Sequence, residues 1–159
     1  APFDAYLTLR GLRTLSARLR VHAENALALA EILAAHPAVE RVYFPGLASD
    51  PGHALATRQQ LGYGAMLSFE LRGGEAEVRA LLGGLRCYTL AESLGGVESL
   101  IAHPATMTHA SMTPEARAVA GISAQLLRVS VGIEDIADLR ADLLAGLGRA
   151  QALALRRAA

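Results

Sequence analysis

The sequence predicts an α+β fold: a small, mainly antiparallel sheet with helices packed on one face and a long helix near the N-terminus. Three observations carry that expectation. Residues 14–36 repeat apolar side chains at helical steps of three and four. Short β-branched and aromatic runs, among them Val39 to Phe44 and Leu126 to Val131, have the length and character of strands. Helical stretches and glycine or proline turns separate them, in the order α-β-α-β-α-β-β-α-β-α.

In chain order, residues 3–10 read as a short helix that Gly11 weakens. Thr14 is an N-cap for the long helix, whose expected buried stripe is Leu15, Leu19, Ala23, Ala26, Ala30 and Leu33, with Arg18, Glu24, Asn25 and Glu31 off it. Pro37 stops it at about His36, because proline disfavours helical geometry in the residue before it. The strand Val39 to Phe44 closes at the Pro45-Gly46 turn, and a short helix is expected over residues 51–60. Ala65 to Leu71 alternates Met66, Ser68 and Glu70 against Leu67, Phe69 and Leu71, a strand with one wet and one dry face. Glu75 to Leu82 is a helix between glycine pairs, and Arg86 to Leu90 and Glu98 to Ala102 are short strands. One or two helical turns follow at Glu115 to Ala120, then the strand Leu126 to Val131. Asp135 and Asp138 open the last helix as N-cap and N3, with Ile136, Leu139, Leu143, Leu144 and Leu147 on its buried face.

At 159 residues the chain has the size of one domain and can bury a sizeable core. Fifteen cations balance fifteen carboxylates, which argues against a nucleic-acid or membrane-surface partner. No run approaches the roughly 18 uninterrupted apolar residues of a membrane span. The single Cys87 cannot form an internal disulfide, which fits a cytoplasmic setting, and its apolar strand context predicts an inert thiol. Every cation is an arginine, so no Schiff base to a protein lysine can form within this chain. The sequence opens Ala1-Pro2-Phe3-Asp4 without methionine and runs at once into helical pattern, as expected of a segment cut from a longer polypeptide.

Two places could carry chemistry. In Leu126 to Val131, Leu127, Val129 and Val131 share one face, so Arg128 and Ser130 point the other way. A guanidinium on a rigid strand suits bidentate capture of a carboxylate, although the same pattern fits a solvent-facing arginine or a structural ion pair. The loop Ala91-Glu92-Ser93-Leu94-Gly95-Gly96-Val97-Glu98-Ser99 carries paired glycines that allow close backbone approach, with Glu92 and Ser93 at its mouth. It reads equally as a turn between two strands. The polar string from His103 to Ser111, including Thr106, Thr108 and His109, has two histidines without a third ligand, a poor metal site. No Gly-x-Ser-x-Gly elbow and no phosphate-binding glycine loop occurs.

Several segments taken together are more specific than any one. They are Pro2 to Tyr6 with Arg10 to Leu15, Val42 to Leu47, Gly64 to Phe69, Leu90 to Leu100 running into His103 to Ser111, and Leu127 to Glu134. In this order they resemble the Cys/Met-metabolism family of pyridoxal-phosphate (PLP) enzymes, and within it the cystathionine γ-synthase and γ-lyase types. The resemblance covers nearly the whole chain. It implies that residues 1–159 are the small C-terminal domain of a fold type I enzyme, whose PLP-binding N-terminal domain and Schiff-base lysine lie outside this chain. It further implies that Arg128 binds the α-carboxylate of an amino-acid substrate, that Ser93 lines the site near the cofactor lysine, and that Glu92 and Thr108 face the distal part of the substrate. The implied chemistry is transsulfuration, a γ-replacement or γ-elimination on sulfur-containing or O-acylated homoserine amino acids, serving methionine biosynthesis or cysteine metabolism. No catalytic, cofactor-binding or metal residue is expected in the chain itself, and the intact enzyme is expected to be a homotetramer. The alternatives are a free-standing amino-acid-binding regulatory module and the C-terminal domain of another type I enzyme such as an aminotransferase.

Overall fold

The structure, a computed structural model, describes residues 1–158. Helix α1 (Pro2–Leu12) is followed by α2 (Leu15–Ala35), β1 (Val39–Tyr43), α3 (His53–Gln59), β2 (Met66–Leu71) and α4 (Glu75–Leu82). The chain continues through β3 (Tyr88–Leu90), β4 (Ser99–Ala102), α5 (Pro114–Val119), β5 (Leu126–Ser130) and α6 (Ile136–Ala158). The element order is the expected one, with ends displaced by a residue or two, and Gly11 lies inside α1. No helix of the described residues is long and apolar enough to cross a membrane.

One five-stranded sheet, in the order β1-β2-β5-β4-β3, organises the domain. All its pairings are antiparallel except β3 with β4, which run parallel. The alternation in β2 and β5 decides what each face does. Leu67, Phe69, Leu71, Leu127 and Val129 are at most 2% exposed and meet Leu29 and Leu33 of α2, Val78 and Leu81 of α4, and Leu139, Leu143 and Leu147 of α6. Burying a leucine or phenylalanine of this kind stabilises by about 1.5–3 kcal/mol, so this helix-covered face supplies most of the core. Short α5 and the turns around it reach over the Tyr43–Glu70 corner of the other face, where the Ser123 hydroxyl donates to Glu70 Oε1 at 2.6 Å.

The stripe of α2 differs from the expected one. Leu19 is 52% exposed, whereas Asn25, expected off the stripe, is 5% exposed and His22 likewise. Both serve the chain just beyond β5. The His22 ring meets Val131 O at 2.6 Å, and a carbonyl can only accept, so Nδ1 carries the proton. Asn25 Nδ2 donates to Gly132 O at 3.1 Å and Glu134 O at 2.9 Å. Backbone carbonyls buried past the end of a strand need donors, and α2 supplies them from side chains.

Helix α1 contributes nothing to this core. None of its residues is buried, and Phe3, Tyr6, Leu7, Leu9 and Leu12 are all exposed.

Candidate substrate-binding site

The parallel pairing of β3 and β4 shapes the site. A hairpin would turn at the end of the sheet, but parallel strands require a connection that travels back along it. Residues 91–98 make that return over the open face, and the route carries them along β5. Gly95 has φ +80°, in the left-handed region that glycine enters without strain, and its N–H donates to Ser130 Oγ at 3.0 Å. Gly95 therefore serves a left-handed backbone conformation, and the loop runs along β5 instead of turning directly between two strands.

Arg128 leaves β5 on this open face, in register with Ser68 on one side and Ala102 on the other. Its Nη2 donates to the carbonyls of Glu92 at 2.6 Å and Ser93 at 3.0 Å. Among the described residues no carboxylate pairs with it, and its Nε is buried without a hydrogen-bond partner. An ion pair, the structural alternative for a strand arginine, is therefore not what holds it. Two backbone carbonyls fix one nitrogen and leave the positive charge of the group uncompensated, the state suited to an anionic ligand.

Of the residues expected at the site, Arg128, Glu92 and Ser93 meet, through the backbone carbonyls of the latter two. The side chains of Glu92 and Ser93 are exposed. Thr108 is also exposed and makes no hydrogen bond to the other three; its Oγ1 meets His109 Nδ1 at 2.8 Å. His103, in the same polar string, is structural: it is buried, with Nε2 on Ala124 O at 2.9 Å and Nδ1 on Thr106 Oγ1 at 2.8 Å. The Ala124 carbonyl requires Nε2 to carry the proton, so neutral Nδ1 accepts from the threonine hydroxyl. Burial pushes the Cys87 thiol up, with the Asp142 carboxylate adding to it, so the thiolate is disfavoured at neutral pH.

The sequence singled out Arg128 and the loop it holds, but not the residues that steady that loop. Ser130 holds Gly95 N–H, Ser99 bridges to Glu134 and to Gly132 N–H, and Asn25 holds the backbone of residues 132–134. The alternation in β5 already put Ser130 on Arg128's face, a signal that could have found it. Nothing local ties Asn25 to residues more than a hundred positions away.

A half-buried arginine on a central strand, beside a glycine-bearing loop and unpaired with any carboxylate among the described residues, marks the open face of this α+β domain. The family model for Cys/Met metabolism PLP-dependent enzymes matches residues 1–148. Cystathionine γ-synthase of Escherichia coli K12 is 61% identical over 141 residues, 89% of this chain and 36% of that protein. Cystathionine γ-lyase of Dictyostelium discoideum is 51% identical over 149 residues, 94% of this chain and 38% of that protein. The crystal structure of cystathionine γ-synthase from Xanthomonas oryzae pv. oryzae in complex with aminoacrylate and cysteine superposes with a TM-score of 0.91 at 72% identity. That match covers 96% of this chain and 39% of the solved one, and a second structure of that enzyme, in complex with cystathionine, matches equally. The chain belongs to the Cys/Met-metabolism family of PLP-dependent enzymes and has the fold of the small domain of a fold type I enzyme. It spans less than two-fifths of the length of these relatives.

Proposed function

We propose that this chain is the substrate-binding C-terminal domain of a PLP-dependent transsulfuration enzyme of the cystathionine γ-synthase or γ-lyase type. The supporting observation is Arg128: fixed at Nη2 by the Glu92 and Ser93 carbonyls, unpaired with any carboxylate among the described residues, and carrying an unpartnered Nε. The reaction in this reading is a γ-replacement or γ-elimination on an amino acid bearing sulfur or an acylated oxygen at its far end, and the chain's likeness to cystathionine γ-synthases and γ-lyases supports it.

The residues present do not fit the cofactor itself. The chain has no lysine to offer the cofactor's aldehyde, so its part in the reaction is to hold the substrate. In an intact enzyme PLP would supply the electron sink for chemistry at the substrate Cα. Arg128 takes the substrate α-carboxylate through its free donors, which fixes the direction of the Cα–H bond. The rigidity of β5, hydrogen-bonded on both edges, makes that direction reproducible. In this reading Ser93 and Glu92, both exposed on the loop that Arg128 holds, offer a hydroxyl and a carboxylate to the rest of the substrate, and Thr108, exposed on a turn after β4, offers a second hydroxyl.

The test is Arg128→Ala in the full-length enzyme. A charge-assisted pair contributes roughly 1.5–3 kcal/mol, so kcat/KM should fall about tenfold to some hundredfold, with KM for the amino acid rising. A kcat/KM within about twofold of the parent would refute the assignment.

A further inference from the structure

The loop over Arg128 is fastened at successive points along β5 and the residues that follow it. Arg128 Nη2 holds the carbonyls of Glu92 and Ser93, and Ser130 Oγ accepts from Gly95 N–H. Ile133 N–H donates to Val97 O at 2.9 Å. At the exit the Glu134 carboxylate takes two donors from one residue: Ser99 N–H at 2.6 Å to Oε1 and the Ser99 hydroxyl at 2.8 Å to Oε2. The Ser99 oxygen in turn accepts from Gly132 N–H at 2.8 Å. Ser99 is fully buried, so this end of the loop has no water to fall back on.

We propose that Glu134 is a positioning residue for the carboxylate grip: by anchoring Ser99 it holds the Glu92 and Ser93 carbonyls on Arg128, and so sets the direction of the guanidinium. The proposal rests on the reading of Arg128 given above. Three observations carry it. First, the loop passes through Gly95 at φ +80°, where local preference does not fix its path, so that path depends on its tethers. Arg128 itself is one of those tethers and cannot also serve as the reference for its own position. Second, the Glu134 anchor is charge-assisted, whereas Ser130 and Ile133 offer neutral bonds. Third, Glu134 stands on a backbone held from behind, because Asn25 of α2 donates to its carbonyl and to that of Gly132. The core thus reaches the substrate-binding arginine through α2, residues 132–134, Ser99 and the loop.

The experiment compares full-length enzymes on O-acetyl-L-homoserine and on its α-carboxamide, which offers Arg128 no negative charge. The ratio of kcat/KM for acid over amide reads the grip and is insensitive to a general loss of active protein. Arg128→Ala should collapse that ratio; if it does not, the reading of Arg128 fails, whatever Glu134 does. With Arg128 behaving as expected, Glu134→Ala should lower the ratio by about tenfold. Glu134→Gln can still meet Ser99 with one acceptor and one donor, and should stay within about threefold of the parent. Amide exchange should accelerate at Gly95 and Ser99 in Glu134→Ala while residues 139–147 of α6 remain protected. An acid-to-amide ratio in Glu134→Ala within about twofold of the parent, beside a collapsed ratio in Arg128→Ala, overturns the proposal. Should Glu134→Ala fail to fold, Ser99→Ala removes the hydroxyl's bonds to Glu134 and from Gly132 N–H while keeping the backbone bond to Glu134, and the same two outcomes decide.

Discussion

Asn25→Ala tests how the helical layer supports the site. Asn25 is 5% exposed and donates from Nδ2 to Gly132 O at 3.1 Å and to Glu134 O at 2.9 Å. Each bond contributes about 0.5–1.5 kcal/mol net, and its loss leaves a partly buried carbonyl without that donor, so the substitution should cost about 2 kcal/mol. With a urea slope near 2 kcal/mol per molar for a chain of this size, the unfolding midpoint should fall by about 1 M. The assay is urea unfolding of the chain followed by far-UV circular dichroism. Asn25→Leu is the control that separates packing from hydrogen bonding: it keeps asparagine's branched shape of four heavy atoms, is apolar, and donates nothing. It should be destabilised about as much as the alanine variant. A leucine variant at or above the parent midpoint would refute the reasoning, because position 25 would then be one more apolar place on α2.

Gly132→Ala should cost about 1–3 kcal/mol by the same assay, since a Cβ there would lie 2.5 Å from Val97 O and 2.6 Å from the Glu98 carbonyl carbon, in addition to striking the Glu134 carboxylate. An unchanged midpoint would show that the loop backbone yields freely at residues 97–98. Glu77 provides the pH test. The Gly74 N–H, at 2.7 Å from Oε2, holds its carboxyl below the usual carboxylate range, and Arg157 adds to that. A depressed folded-state pKa means stability that is fully present above the unfolded pKa of about 4.3 and is lost as pH falls through the lower folded value. Glu77→Gln should therefore flatten the pH dependence of the urea midpoint below about pH 4.3. A parallel, unflattened profile would show that the carboxylate gains nothing from the fold.

Much of the fold was legible because its periods are local. The alternation in residues 65–71 and 126–131 separates dry from wet side chains, and burial follows it: Leu67, Phe69, Leu127 and Val129 are inside, Ser68 and Arg128 on the other face. The α6 stripe of Leu139, Leu143 and Leu147 is buried as its spacing requires, and Asp135 Oδ1 accepts from Ala137 N–H at 2.8 Å as an N-cap. The α2 stripe was the partial miss. Spacing identifies which side of a helix is apolar, but it cannot see that Asn25 and His22 have carbonyls to satisfy on a distant strand.

By itself, the sequence determined the element order, the core faces of β2 and β5, the placement of Arg128 opposite that face and the absence of any lysine that could carry a cofactor. The motifs from Leu90 to Ser111 and from Leu127 to Glu134 were enough to indicate the family. Only the tertiary structure decided that residues 91–98 cross the sheet instead of turning at its end. The physical reason is strand direction. Whether β3 and β4 pair parallel or antiparallel depends on contacts made after both strands form, and no local pattern encodes it. That one choice of direction lays the Glu92–Ser93 carbonyls on Arg128 and brings Ser99 to Glu134, and so turns an arginine on a strand into an oriented one.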